Sequence, residues 1–398
     1  MVIQFQFGGD AFSNMIWFVF FMVFMLFYQR IIVTQMLWKL EQTAEMLEGY
    51  TGKAKKIVTR KVTNNPSKEL KEQINNFLEA YVIEPVNLDP YGIVKKVEHI
   101  MDLFDKKLKY FSKTIAPKLN EEEQMDLVMG LSGAMSLNQI AKIVRHYVEL
   151  IRKTKNLQLA MILQMQLPMV ERLSKALLLG TEALTNRWPI GDSVSPLVVA
   201  KMIGTSRVKE IEEDTVVAKK KIKGKNVIIM KAKGPGGRLG KLGKAAEDLI
   251  KKENIKKIIT VDAAAKLEGE RTGAIAEGIG VAIGGIGVDR SYIENIAVAK
   301  NLPLDSIVIK MSQEEAIMPM KLSVLDAIDQ AIKLLEKNIE NTSGSILVIG
   351  VGNSCGIGDN EKAVKDAEQK IKSVAEIMKK RIEAEKKQEK FWNKLIGG

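Results

Sequence analysis

Asp262 stands directly after the run Lys257-Ile258-Ile259-Thr260-Val261, and a short β-branched stretch of this kind is predicted to be a buried strand. At the carboxyl end of a strand in an α/β sheet, a carboxylate meets the crevice where ligands bind. There it can move a proton or hold a cation; the plainer alternative is a helix cap or an ion pair with Lys266 or Arg271. The chain from Asp262 to Gly273 leads into EGIGVAIGGIGVDR, whose glycines at 278, 280, 284, 285 and 287 imply close backbone approach or left-handed backbone.

A second loop, Gly234-Pro235-Gly236-Gly237-Arg238-Leu239-Gly240, follows NVIIMKA and runs into a helix predicted to begin near Lys241. Amides at a helix N-terminus, with Arg238, Lys241 and Lys244 nearby, suit a phosphate or carboxylate. Gly234, Gly236, Gly237, Arg238, Gly240 and Lys241 are therefore the candidate cofactor-binding set, with a tight structural turn as the alternative. The loop is not a Walker motif, because Pro235 occupies the required glycine and Leu242 follows Lys241; nor is it G-x-G-x-x-G, although Asp262 lies at a suitable distance for a ribose contact. A third loop, GSILVIGVGNSCGIGDN, carries Cys355, but no histidine follows His146 to activate it. Cys355 is read as a small loop residue.

One cysteine cannot make an internal disulfide, and His99 and His146 leave too few soft ligands for a structural zinc site. Both histidines are read as solvated or structural. The net charge of +12 favours anionic neighbours such as phospholipid headgroups, and no specific nucleic-acid partner is expected because the recognisable reader modules are missing from the sequence.

The elements that must position these loops follow Trp188-Pro189, where strand candidates Thr215–Ile222, Asn226–Ala232, Lys257–Val261, Ser306–Ile309 and Ser345–Val351 begin to alternate with helical runs. The helical runs are Ser195–Ile203, Leu239–Glu253, Tyr292–Lys300 and Lys321–Ile339, a pattern that predicts a mostly parallel sheet covered on both faces. The fold class is α/β: an N-terminal transmembrane helix over 1–33, an α-helical region over 34–187, an α/β/α domain over 188–359 and a basic amphipathic C-terminal helix over 360–398.

Eight of the twelve phenylalanines fall at or before Phe27, and Ala11 to Tyr28 holds no charge. Eighteen residues at 1.5 Å each make about 27 Å of helix, close to the hydrocarbon thickness. A signal peptide would need a basic leader and a small-x-small cleavage site, and neither is present. No Lys or Arg precedes the segment, whereas Arg30, Lys39, Lys53, Lys55, Lys56, Arg60 and Lys61 follow it. The expected topology is single-pass in the cell membrane, with the bulk of the chain cytoplasmic and Arg30 snorkelling to the inner headgroups. Helix breaks are read at Asn64-Asn65-Pro66, from Glu84-Pro85 through Asp89-Pro90-Tyr91-Gly92, and at Ala116-Pro117; Ser136 is read as a cap, and Met161, Met165 and Met169 as core filling.

Taken together, the Phe-rich segment, WPIGDSVSPLVVAKMIG, VDAAAKLEGERTGAIAEGIGVAIGGIGVD and ILVIGVGNSCGIGDN resemble an uncharacterised archaeal membrane-protein family catalogued as a domain of unknown function. That resemblance spans nearly the whole chain and implies no activity. Between Pro189 and Asp359 there is a more distant one. Gly191-Asp192-Ser193-Val194-Ser195-Pro196-Leu197-Val198-Val199 resembles the acidic segment and following Gly-Pro-Leu-Val of the spore germination protease, and Val261-Asp262-Ala263 resembles the strand-ending Asp-Ala it shares with hydrogenase-maturation endopeptidases. This resemblance implies a three-layer sandwich with Asp192 and Asp262 as catalytic residues or ligands of a divalent metal. The chain departs from it in having Ser195 where glycine is usual and in lacking the nickel-recognising histidine. The plainer reading is that both aspartates cap helices.

From Asn360 the sequence reads as one helix, with Val364, Ala367, Ile371, Val374 and Met378 at heptad-like spacing and Phe391-Trp392 near its end. It is expected to pack on the helical region or to pair with itself as a homo-oligomer, its basic residues suiting a membrane surface. Two functions compete: a membrane-tethered hydrolase, most plausibly a peptidase, and a non-catalytic anchored scaffold or sensor of nucleotide or phosphate.

Overall fold

The computed structural model describes residues 11–86, 88, 92–284 and 287–396. Gly285, the Asp89–Tyr91 part of the predicted break, and the side chains of Arg30, Phe391 and Trp392 lie outside that description. The chain divides into two compact units that do not follow sequence order: Met1–Gly52 with Leu137–Ser174, and Lys53–Ser136 with Lys175–Gly398.

The first unit is built from parts of three helices, α1 (Ala11–Val62), α4 (Glu121–Thr154) and α5 (Leu157–Thr185), whereas α2 (Lys68–Phe77), α3 (Ile93–Ile115) and the short α9 (Gln313–Ile317) belong to the second. Val33, Leu37, Leu40, Ala44 and Leu47 of α1 recur at three- and four-residue steps and bury against Val144, Val148 and Ile151 of α4 and Ala160, Leu163 and Leu167 of α5. Arg145 forks onto Glu48 (Nε–Oε1 2.6 Å, Nη2–Oε2 3.0 Å), Arg152 pairs with Glu41, and Thr43 Oγ1 donates to Glu171 at 2.8 Å. Every side chain from Met15 to Met25 is apolar and 43–66% exposed. Among the described residues the one helix long and apolar enough to cross a membrane is α4, and 61% of its apolar window is buried inside the protein, as in the core helix of a soluble protein.

Two readings of this region are corrected. Ser136 caps nothing: α4 runs through it and its hydroxyl donates to the Ser132 carbonyl one turn back. Met161, Met165 and Met169 are not core, since they stand on the outer face of α5 at 53%, 71% and 52% exposure while the same helix buries Ala160, Leu163 and Leu167. The apolar spacing was real, but it left two faces to choose between.

In the second unit a sheet of seven strands is ordered β1-β2-β3-β7-β4-β6-β5, where β1 is Lys209–Glu212, β2 Thr215–Ile222, β3 Lys225–Ala232, β4 Ile255–Ala265, β5 Ile275–Ile279, β6 Leu304–Met311 and β7 Ser345–Gly350. The strands are mixed rather than mostly parallel. Only β3·β7, β7·β4 and β4·β6 are parallel, because a tight hairpin joins β2 to β3 and the short edge strands β1 and β5 run antiparallel. Those edges carry half-exposed residues and little apolar pattern, which is why the sequence does not announce them.

Alternation along the central strands builds two cores. Ile229, Ile259, Val261, Ile307 and Val348 pack with α6 (Val194–Ile203), α11 (Ile328–Glu340) and the first half of α12 (Glu361–Ile396). Ile228, Met230, Ile258, Leu347 and Ile349 pack with α7 (Leu242–Lys252) and α8 (Val288–Lys300) on the other face. The result is a three-layer α/β/α arrangement. The run predicted as one helix from Lys321 breaks at Asp326-Ala327 into α10 (Leu322–Leu325) and α11. Helix α12 buries Val364, Ala367, Ile371 and Val374, and Arg381 pairs with Glu182 of α5 (Nη1–Oε2 2.6 Å).

Candidate functional site

The carboxyl ends of β3, β7 and β4 lie side by side, and the three loops singled out by sequence leave from them. Val351 extends β7 by donating to the Val261 carbonyl at 2.9 Å. Asp262, next along β4, turns by alternation toward the α7/α8 face and is only 5% exposed. Its Oδ1 accepts from its neighbour Ala263 N (2.7 Å) and its Oδ2 from Gly284 N (3.1 Å), while Thr260 Oγ1 accepts from Ala282 N (3.3 Å). Part of the glycine-rich segment is thus pinned across β4. Amides, rather than Lys266 or Arg271, are what Asp262 binds.

Asp192 sits in a single 3₁₀ turn, Gly191–Ser193, ahead of α6. That turn is fixed from below: Gly191 N donates to Met318 O (3.0 Å), Met320 N donates to Pro189 O (2.9 Å), and a Cβ on Gly191 would fall 2.0 Å from Glu315 O. From the other side, Gly352 comes so close, at φ +124°, that a Cβ there would lie 2.2 Å from Asp192 O. The next residue, Asn353, donates its backbone N–H to Asp192 Oδ2 at 2.7 Å. Asp192 does not cap α6; Ser193 holds the cap position without a side-chain capping bond, its hydroxyl donating instead to Cys355 O at 3.3 Å.

Helix α6 belongs to one layer and Asp262 faces the other, with the ends of β7 and β4 between them. They are near enough to interact. Burial first, and then the Asp192 charge, push the Asp262 carboxyl up to about 8, against the opposing pull of the Ala263 and Gly284 amides. Burial raises Asp192 as well, its single amide bond from Asn353 compensating only in part. At neutral pH the Asp262 carboxyl, raised in this way, retains a proton that an exposed one would lose.

The fit to a divalent cation is poor. Three of the four carboxylate oxygens already accept amide hydrogens, and among the described residues no group of three or more His, Cys, Asp or Glu gathers to complete a cation shell.

The donors of the Gly234–Gly240 loop, proposed from sequence for an external anion, bind this chain's own carboxylates. Glu122 Oε2 accepts from Gly236 N (2.5 Å) and Arg238 Nη1 (2.8 Å), and Asp359 Oδ1 accepts from Gly234 N (3.1 Å) and from the fully buried Lys231 (2.5 Å). Burial pushes Glu122 up, but Arg238 and the Gly236 amide outweigh it and hold the carboxyl below its ordinary value. Arg238, 3% exposed, also faces Asp214, with Nε 2.9 Å from Oδ1 at ion-pair rather than hydrogen-bond geometry. Lys241 pairs with Asp102, and the N-terminus of α7 is taken by Asp289, whose Oδ1 accepts from Gly243 N at 2.7 Å.

Ser354 joins the loops: its Oγ accepts from Arg238 N and donates among the carbonyls of Lys233 and Gly236. Cys355 is fully buried with Sγ 3.3 Å from Trp188 O, and burial raises its thiol far out of the nucleophilic range. His99 and His146 are exposed.

Sequence reasoning missed Glu122 and Asn353 as partners of these loops. Glu122 lies 112 positions before Gly234 in a run of three glutamates that reads as an ordinary acidic helix start, and nothing local distinguishes it. Asn353 stands in a glycine-rich stretch after a strand, which was a usable signal.

Two family models match the chain. One is described as the N-terminal domain of a protein of unknown function, DUF1512, and matches residues 14–187; the other is described as the C-terminal domain of the same family and matches residues 190–358. No curated protein matches the chain.

Proposed function

We propose that this chain, which belongs to the DUF1512 family, is a membrane-tethered hydrolase, a peptidase, with Asp192 and Asp262 as its catalytic pair. The observation that carries this reading is the influence of one buried acid on another: the Asp192 charge adds to burial in raising Asp262 to about 8, and Asp192 is itself raised by burial against a single amide bond. A pair that holds one proton has a base and an acid in the same place. The ionised carboxylate takes a proton from water as its oxygen adds to the carbonyl carbon. The protonated one donates to the carbonyl oxygen; the proton gained from water then passes to the leaving nitrogen as the C–N bond breaks, and the carbonyl oxygen returns its proton to the carboxylate that gave it, which leaves the pair as it began. The distant resemblance to the germination protease nominates the same two residues.

The exposed apolar run Met15–Met25 supports a membrane anchor within residues 1–33, with the lysines and arginines after it placing the rest of the chain on the cytoplasmic side. Membranes of cells expressing the full chain, washed with carbonate, test the anchor: retention in the pellet supports it and release contradicts it. Incubation of the purified chain with a peptide library, read by mass spectrometry, tests the activity. New cleavage products lost in Asp192→Asn and Asp262→Asn support it, and products that persist in both variants contradict it.

A scaffold or sensor of phosphate or nucleotide is the second reading, supported by the affinity of the Gly234 and Gly236 amides and Arg238 for carboxylates, with Glu122 and Asp359 as the groups an outside anion would displace. A thermal shift with inorganic phosphate or a nucleotide that grows in Glu122→Gln would speak for it.

A further inference from the structure

The end of the sheet opposite Asp192 and Asp262 is loaded with lysine. Strands β3, β4, β6 and β7 all begin there. The β2–β3 hairpin over this end reads AKKKIKGKN, and its turn residues Lys223 and Gly224 are both left-handed (φ 49° and 76°), giving a tight hairpin that carries Lys221 and Lys223 out into solvent. Around it stand the exposed Lys256 at the start of β4, Lys300 at the end of α8 just before β6, and Lys337 in the last turn of α11 ahead of β7. Among the described residues Lys221, Lys256, Lys300 and Lys337 form no ion pair, and Lys223 reaches Glu336 only at 3.8 Å.

Helix C-termini attract cations, which accounts for Lys300 and Lys337. It does not account for the hairpin, which lies on no helix. Like charges held together on a rigid turn repel one another unless something anionic faces them.

We propose that this lysine-bearing end docks on an anionic lipid surface, which turns the Asp192–Asp262 end toward the aqueous phase. A bilayer is favoured over nucleic acid because the surface offers no stacking platform: Tyr292 is the one aromatic residue between 189 and 359, and its hydroxyl is held by Glu98 at 2.8 Å. Headgroup attraction needs only clustered cations within a Debye length of the surface. The choice of a bilayer rests on the anchor reading above, and the test separates the two.

The full chain is reconstituted into nanodiscs of neutral phosphatidylcholine and into discs with about 30% phosphatidylglycerol, and amide hydrogen exchange is followed over residues 215–232. Exchange about threefold slower on the anionic discs, abolished in Lys221→Glu/Lys223→Glu and by about 0.5 M salt, is the expected result. Equal exchange on the two discs overturns the proposal, as does protection by duplex RNA on neutral discs that exceeds protection by anionic lipid. A chain that fails to enter discs contradicts the anchor alone. Docking is then read by co-sedimentation of the same chain with phosphatidylglycerol and phosphatidylcholine vesicles, where equal binding overturns it.

Discussion

Asp192 accepts the backbone N–H of Asn353 at 2.7 Å, and through that bond the turn before α6 is fastened to the loop after β7, beside the end of β4 where Asp262 stands. Asp192 is held by an amide from a distant part of the chain, and Asp262 both by its neighbour Ala263 and by Gly284 of the glycine-rich segment, so the pair depends on the loops being in register.

Gly352→Ala tests that dependence. A Cβ at Gly352 would meet Asp192 O at 2.2 Å, and the residue's φ of +124° is one that L-residues avoid. The substitution is expected to destabilise the protein by about 2 kcal/mol or more, lowering Tm, and to reduce activity further than the lost stability alone explains. A variant with unchanged melting temperature would show that the loop gives way without effect on its neighbours.

Ser195 offers the opposite case. Its hydroxyl is fully buried and has no hydrogen-bond partner among the described residues. Removing a buried, unsatisfied donor is favourable, so Ser195→Ala is expected to raise stability by about 1 kcal/mol, read as a higher Tm. A fall in Tm would mean that the hydroxyl has a partner.

Stability should depend on pH through Asp262. Its carboxyl is raised from 3.8 to about 8 in the folded chain, so between those values the folded state binds more protons than the unfolded one, and stability falls as pH rises. The contribution is complete below about pH 4 and lost by about pH 8. Asparagine mimics the protonated acid, so Asp262→Asn should gain stability relative to the wild type across this window and level off above it. A difference in Tm that is flat from pH 5 to pH 8, or that runs the other way, would contradict the assignment.

Much of the central architecture was legible because buried strands are short, β-branched and spaced by helices; β2 spans the predicted Thr215–Ile222. The edge strands β1 and β5 were not, since half-exposed strands lack an apolar signature. The methionines of α5 were misread for a related reason: periodicity places residues on one face but does not say which face is covered. At the site, strand-end Asp262 could be found from its own surroundings and Asp192 through resemblance. The carboxylates that fill the Gly234 loop could not, because tertiary contacts across more than a hundred residues leave no local trace in an acidic helix start.

The proposed activity requires one proton held between two acids. Carboxyl titration of the full chain, followed by infrared difference spectroscopy or by carbon-13 NMR of labelled aspartate, measures it directly. A buried carboxyl titrating near pH 8 in the wild type, assigned by its loss in Asp262→Asn and moved to lower pH in Asp192→Asn, is the predicted result. Titration of Asp262 near its ordinary value, or a midpoint that Asp192→Asn leaves unmoved, would contradict the pairing.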